Sequence, residues 1–215
     1  LLDKSPAHRY QSAGEVSEDL KNVSVHSASS IMAATPDRPS IAVLPFANLS
    51  TDPEQEYFCD GIAEEVINAL SNIAGLRVVA RTSAFAFKGQ NKDIRQIGRD
   101  LNVSTILEGS LRKSGDRIRV TAQLINVADG FHIWSERYDR KLDDVFAIQD
   151  DISLAIVNQL KIKLLKGEEQ SIRKRITTNL EAHNLYLKGK YYWNRRTKKF
   201  LNQAINLFEQ AVALD

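Results

Sequence analysis

The chain has little of the chemistry that defines several protein classes. One cysteine, Cys59, among 215 residues excludes an internal disulfide framework and a cysteine-rich metal site. No run of 18 apolar residues occurs, so no segment has the length and character of a membrane-spanning helix. A single unpaired thiol fits a reducing compartment. These absences predict a cytoplasmic location and no membrane segment in this chain.

An excess of charge of one sign is also missing. The 29 Lys and Arg residues nearly balance the 27 Asp and Glu residues, and the net charge is +2. The bulk composition therefore gives no argument for nucleic acid or a membrane surface as partner. Hydrophobic residues at 43% and charged residues at 26% predict a chain that mostly folds. Because it begins at Leu1 and stops at Asp215 within a helical pattern, we expect a piece of a longer polypeptide.

Motifs that carry catalysis are absent as well. The loop from residue 47 to 61 has one glycine and several carboxylates, which would repel a phosphate. Cys59 is followed by Asp60 and other acids, which raise a thiol pKa, so a hydrolase that uses Cys59 is a weak alternative. The four histidines lie in separate segments without paired ligand spacing: His8, His26, His132 and His183. The sequence predicts no catalytic, cofactor-binding or metal-ligating residue.

Residues 40–165 predict an α/β domain that begins with a buried strand. The apolar run at 41–46 is typical of a strand covered on both faces. Two helices then alternate with strands at about 76–80 and 105–111, which implies parallel crossovers. Asp60 is expected to cap the first helix and Asp93 the second.

The later part of this domain predicts antiparallel pairing. Apolar and polar residues alternate from Arg117 to Leu124, which indicates a strand with one wet face. Hairpin turns at 114–115 and 129–130 flank it. A long apolar-striped helix follows from residue 143, and Gly167 is expected to end it. The predicted fold class is therefore α/β. It has a mixed five-stranded sheet, with a parallel βαβαβ part and an antiparallel meander, covered by helices and followed by an α-helical hairpin.

The rest of the chain divides around this domain. Residues 1–21 read as a loop and a helix, and residues 22–39, small and polar with two prolines, as a flexible linker. A basic connector at 166–181 leads to a helical hairpin at 182–215.

Basic residues concentrate near the end of the chain. Residues 161–200 hold 12 Lys or Arg and 3 Glu. Aromatic residues interleaved with cations can stack on bases and hold phosphates, which keeps nucleic-acid binding open as an alternative. The favoured interpretation is that the aromatics pack and the cations are solvated, so nucleic acid is not an expected partner. The candidate interaction residues are Tyr192, Trp193, Arg195 and Arg196.

The first residues resemble the end of a bacterial eukaryotic-like serine/threonine protein kinase. The resemblance rests on LLDKSPAHRYQSA at residues 1–13, followed by Glu18-Asp19-Leu20. In that family the arginine that matches Arg9 pairs with a glutamate and steadies the C-lobe, so Arg9 is implied to be structural. None of the kinase phosphate- or metal-holding motifs is in this chain, so ATP and magnesium are expected only for a kinase domain outside it.

Two further resemblances cover the rest. Residues 40–165 resemble the TolB-like amino-terminal domain of bacterial signalling proteins, through four ordered blocks: 41–46, 58–62, 106–110 and 134–139. That family implies a non-enzymatic α/β module. Residues 182–215 look like a first, incomplete tetratricopeptide repeat, with a loop three residues longer than usual, on five positions: Gly189, Tyr192, Ala204, Phe208 and Ala211.

Together these resemblances imply a non-catalytic regulatory and scaffolding segment of a bacterial serine/threonine kinase that acts in signal transduction. Its helical repeats would bind a protein or peptide partner. The alternative is the same module in an adenylate cyclase or a transcription regulator, since TolB-like domains also accompany those.

Overall fold

The structure is a computed structural model that describes residues 38–162, 167–172, 177 and 179–215. Within these, Pro39–Asp215 form a compact unit. The kinase-like stretch 1–21, with Arg9, and nearly all of the linker 22–39 lie outside the described residues.

Six strands and seven helices make up the described part. The strands are β1 Ser40–Val43, β2 Ala47–Asn48, β3 Arg77–Val78, β4 Thr105–Ser114, β5 Arg117–Asn126 and β6 His132–Lys141. The helices are α1 Glu56–Ser71, α2 Arg81–Phe85, α3 Ile94–Leu101, α4 Val145–Gln159, α5 Glu168–Ile172, α6 Leu180–Trp193 and α7 Lys198–Leu214. Short 3₁₀ turns at Pro53–Gln55 and Leu142–Asp144 precede α1 and α4.

The strands form one mixed sheet in the order β3-β1-β4-β5-β6, with β2 paired to β4 beside β1. β1 is parallel to both β3 and β4, and β4, β5 and β6 are antiparallel neighbours. The α/β class, the parallel part and the meander are confirmed. The predicted number of five strands is one too low. β2 has only two residues, which is too short to show the alternation of apolar and polar residues that predicts a strand.

The two faces of the sheet are covered unequally. α1 and α4 pack on one face and enclose the main core. Four of the five residues of the predicted apolar stripe, Val145, Ile148, Ile152 and Ile156, are fully buried, and the fifth, Leu160, is partly buried just past the end of α4. α3 covers one end of the other face through a smaller cluster that includes Ala42, Ile97 and Ile106. As predicted, Val120 and Leu124 are buried and Arg119, next to Val120, faces solvent, while Gln123 is half-buried.

Two predicted helix limits are wrong. α1 begins at Glu56, so Asp60 lies inside the helix and does not cap it. Its carboxylate can be buried there because the Lys88 ammonium approaches it to 2.6 Å. α4 ends at Gln159, where Lys161 adopts a left-handed φ of 53°, and so it ends before Gly167 is reached. Asp93 does cap α3, accepting a hydrogen bond from the Arg95 backbone N–H.

The predicted helical hairpin is present as α6 and α7. The Asn179 side chain caps α6 and the Thr197 side chain caps α7. Gly189 lets the helices approach closely, because a Cβ there would lie 2.5 Å from Phe208 Cε1. Among the described residues, no helix combines the length and the apolar character needed to cross a membrane.

Candidate interaction site

The four predicted interaction residues lie where α6 turns into α7. The Tyr192 ring stacks on Phe200, with 5.6 Å between centroids and 13° between planes, so it is partly used in packing. Trp193 is 43% exposed, and the Arg196 guanidinium lies 5.5 Å from its ring centroid. Arg196 has a left-handed φ of 54°, which turns the chain toward α7. The structure therefore brings the four residues to one corner of the hairpin.

A small pocket opens beside this corner, between α6 and the start of α1. Its volume is about 60 Å³. The lining comes from both parts of the chain: Pro53, Tyr57, Lys188, Tyr191, Tyr192 and Arg195. Pro53 and Tyr57 belong to the α/β domain, about 130 residues earlier in the sequence than the others. Sequence reasoning missed them because no local pattern connects them to the hairpin.

Two cations that contact aromatic rings line this pocket. The Arg195 guanidinium lies 4.5 Å from the Tyr191 ring centroid and 4.9 Å from that of Phe200, and it donates a hydrogen bond to the Tyr191 hydroxyl. The Lys188 ammonium lies 5.9 Å from the Tyr57 ring centroid. Within the part of the chain that the structure describes, neither cation has a carboxylate partner. The arrangement suits a small anionic group such as a carboxylate.

A tight seam between α1 and α6 fixes the position of the pocket. Leu187 is 2% exposed and belongs to the main core, and it packs against Gly61 of α1. A Cβ at Gly61 would lie 2.7 Å from Leu187 Cδ1, so only glycine allows this approach without repacking. The hairpin is thus seated directly on the α/β domain.

Ion pairs reinforce this seam. Lys190 of α6 approaches Glu64 of α1 to 2.5 Å, and Arg81 of α2 binds the other oxygen of Glu64 at 2.9 Å. Burial alone would lower the pKa of Lys190, but the hydrogen bond and charge of Glu64 raise it above its ordinary value. Lys190 therefore keeps its charge in the partly buried seam.

One histidine belongs to the seam and not to a reactive site. His183 is buried and packs edge-on against Phe146, with 4.5 Å between ring centroids. Burial, and next the charge of Lys190, lower its pKa to about 4, so the ring is neutral near pH 7. Its Nδ1 has no hydrogen-bond partner among the described residues.

Cys59 lies in α1 in surroundings that disfavour nucleophilic chemistry. Its side chain is fully buried, and burial, followed by the charges of Glu56 and Asp60, raises the thiol pKa to about 12. A thiol with that pKa stays protonated at neutral pH and is a poor nucleophile. The neighbouring carboxylates are tied to Lys88, which lies 2.6 Å from both Glu56 and Asp60.

No metal centre is found in the described residues, since they contain no group of three or more His, Cys, Asp or Glu side chains arranged to hold an ion.

The ion pairs of Lys88 with Glu56 and Asp60 form a small cluster beside Cys59. Burial is the largest influence on Asp60 and raises its pKa, which the Lys88 hydrogen bond opposes. This cluster is therefore a partly buried ion pair that joins α1 to the segment after α2.

Comparison with known proteins gives one family and one close relative. Residues 37–155, more than half of the chain, match the family described as HilA/YgeH-like transcriptional regulator, second domain. A Rhizobium meliloti (strain 1021) protein named "Putative adenylate cyclase 3" is 50% identical over 155 residues. This match covers 72% of the chain and 26% of the relative, so the chain spans about a quarter of the relative's length.

Solved structures are similar at a lower level. TolB from Acinetobacter baumannii has a TM-score of 0.43 and 16% identity, over 60% of this chain and 30% of that one. Lipoprotein GNA1162 from Neisseria meningitidis has a TM-score of 0.42 and 19% identity, over 59% and 99%. Similarity this low carries no functional argument.

Proposed function

The chain belongs to the family of the HilA/YgeH-like transcriptional regulator second domain, and on that premise we propose that it is a non-catalytic regulatory and scaffolding module of a larger signalling protein. The module acts in the cytoplasm. It binds a protein or peptide partner at the hairpin and passes the effect to a neighbouring output domain. It needs no cofactor or metal for this, and it carries no catalytic residue of its own.

One observation carries the proposal: the hairpin and the α/β domain share a continuous seam and build a pocket together. Leu187 is inserted into the main core and Lys190 is paired with Glu64. A partner that shifts the hairpin would therefore also shift α1. The pocket beside the seam offers two cations, Lys188 and Arg195, for which the described residues supply no carboxylate partner. An acidic side chain of a partner would satisfy both.

The hairpin is also proposed as the first tetratricopeptide repeat of an array. α7 exposes apolar side chains, with Ile205 at 49% and Val212 at 76% on one side of the helix, since they are seven residues apart, and Leu214 at 43% near its end. In repeat arrays each unit covers such a face of its neighbour. A following repeat would do so here.

The output domain has two candidates. The kinase-like residues 1–20 support a serine/threonine kinase that uses ATP and magnesium. The second candidate is an adenylate cyclase, favoured by the relative that is 50% identical over 155 residues. The match to this relative is much longer than the kinase-like stretch, so a cyclase has more support than a kinase as the output domain. The family description adds a third candidate, a transcription regulator.

The proposal is tested by catalysis with and without the rest of the polypeptide. The isolated chain, incubated with magnesium ATP, should form neither cyclic AMP nor a phosphoprotein. The full parent protein should form cyclic AMP if its output domain is a cyclase, phosphoprotein if it is a kinase, and neither if it is a transcription regulator. Turnover by the isolated chain would contradict the proposal, because the module would then contain a catalytic centre.

A further inference from the structure

Among the described residues, no helix covers most of the sheet surface on the side opposite α1 and α4. Because Val120 and its alternate neighbours fill the core, the intervening side chains of β4, β5 and β6 point the other way. α3 covers only the end near Ile106 and Val127. We name the remainder the open face. It comprises Glu108, Ser110, Arg112, Ser114, Arg117, Arg119, Thr121, Gln123, Ser135, Arg137, Asp139 and Lys141.

The strand register gathers five cations on the open face. Arg112 stands directly opposite Arg119, and Arg117 directly opposite Lys141. Like charges in directly opposite positions destabilise a sheet. Asp139 relieves part of this repulsion, since it binds Arg119 at 2.6 Å and Arg117 at 3.1 Å.

The remaining three cations lack such relief. Arg112, Arg137 and Lys141 are exposed, and no carboxylate in the described ranges lies within ion-pair distance of them. Arg117 and Arg119 keep 63% and 49% of their side chains exposed in spite of Asp139. The face thus holds a surplus of positive charge that the described residues do not neutralise.

The side chains between the cations indicate which kind of anion fits. Ser110, Thr121, Gln123 and Ser135 supply hydroxyl and amide groups, and Ile133, the exposed apolar side chain of β6, lies near the start of that strand and not among the cations. A protein partner would need an apolar centre to bury, and a single strand would need aromatic rings on which bases stack. Arginine, lysine, hydroxyl and amide groups are the side chains that contact the phosphates of a duplex.

We propose that the open face of β4–β6 binds the phosphate backbone of double-stranded nucleic acid without reading its sequence. Four of the five cations are arginines, whose planar guanidinium groups match phosphate oxygens. Neighbouring strands lie about 4.8 Å apart and alternate residues about 6.8 Å apart, so the cations form a grid that can contact several phosphates. This surface is separate from the hairpin pocket and does not depend on the partner proposed there.

The test measures binding of the 215-residue chain to a fluorescent 20-base-pair DNA duplex by anisotropy, between 50 and 200 mM NaCl. The first variant combines R112Q, R137Q and K141Q, three exposed positions for which the described residues supply no ion-pair partner. We expect it to bind at least tenfold more weakly at 50 mM NaCl. The slope of log affinity against log salt should fall in magnitude by about 2 to 3, because each lost phosphate contact removes about 0.9.

The matched control combines K161Q, K198Q and K199Q, three exposed positions, and removes the same charge from the basic part of the chain near its end. We expect it to retain the affinity and the salt slope of the original chain. A second variant, D139N, removes the carboxylate between the arginines and should bind the duplex more tightly. D139N is a gain of binding, so misfolding cannot produce it.

Several results would overturn the proposal. The duplex could fail to bind at 50 mM NaCl, or both triple variants could weaken binding equally, or only the control could do so. Poly-glutamate that competes as well as the duplex would show that the face takes carboxylates from an acidic protein instead.

Discussion

The contact between Gly61 and Leu187 predicts that one substitution changes sign with its background. In the original chain, Gly61→Ala places a Cβ 2.7 Å from Leu187 Cδ1 and 2.9 Å from Cδ2. Overpacking of this kind costs about 1–3 kcal/mol, against a gain of about 1 kcal/mol from replacing glycine within a helix. The net effect is a loss of stability of about 0–2 kcal/mol.

Leu187→Ala reverses the balance. Alone it leaves a cavity in the core and costs about 2–5 kcal/mol. In that background the methyl group added by Gly61→Ala meets no leucine, so this second substitution should stabilise the protein by about 1 kcal/mol. Urea unfolding of the four proteins gives the coupling free energy, which we expect to be about 1–3 kcal/mol. If Gly61→Ala has the same effect in both backgrounds, the hairpin is not seated on α1 as described.

Three further predictions, which use four substitutions, test the fold and its buried polar groups. Val120→Asp should lower the free energy of unfolding by several kcal/mol, because it buries a lone carboxylate. Arg119→Gln should lower it by less than about 1 kcal/mol, and equal shifts in the melting temperatures of the two variants would contradict the strand assignment. Lys88→Ala should raise the pKa of Asp60 further, so that the loss of stability is larger at pH 7 than at acidic pH, where the carboxyl becomes protonated. A loss independent of pH would argue against this ion pair. Because the pKa of His183 is depressed from 6.5 to about 4, its contribution is complete above pH 6.5 and is lost as the pH falls toward 4. His183→Leu should make the free energy of unfolding vary less with pH between 6.5 and 4. An unchanged pH dependence would contradict the burial of this ring.

Local sequence patterns were sufficient to predict the antiparallel strands and the buried face of α4. The alternation from Arg117 to Leu124 and the turn at Gly115, which has a positive φ of 60°, predicted the meander correctly. The stripe through Ile148 and Ile152 predicted the face of α4 that is buried. In each case the residues that decide the structure are neighbours in sequence.

The errors arose where distant residues decide. Asp60 looked like a helix cap, but a lysine 28 residues later neutralises it inside α1. Of the residues that line the pocket, only Tyr192 and Arg195 were among the predicted interaction residues; Pro53 and Tyr57 were missed because only the tertiary seam brings them to the hairpin. The open face was missed for the same reason, since its cations are spread over three strands and alternate with other residues.

The most direct test of the regulatory role uses the full parent protein in cells that express it at its natural level. Lys188→Gln with Arg195→Gln removes both pocket cations, and Lys198→Gln with Lys199→Gln removes the same charge from exposed positions of α7. The output is followed as cyclic AMP or phosphoprotein. Our account predicts that the pocket variant alters the amount of product while the control variant matches the original, with the KM of the purified enzyme for ATP unchanged in both. Indistinguishable output from the pocket variant and the original protein would contradict the claim that this module receives a partner at the pocket.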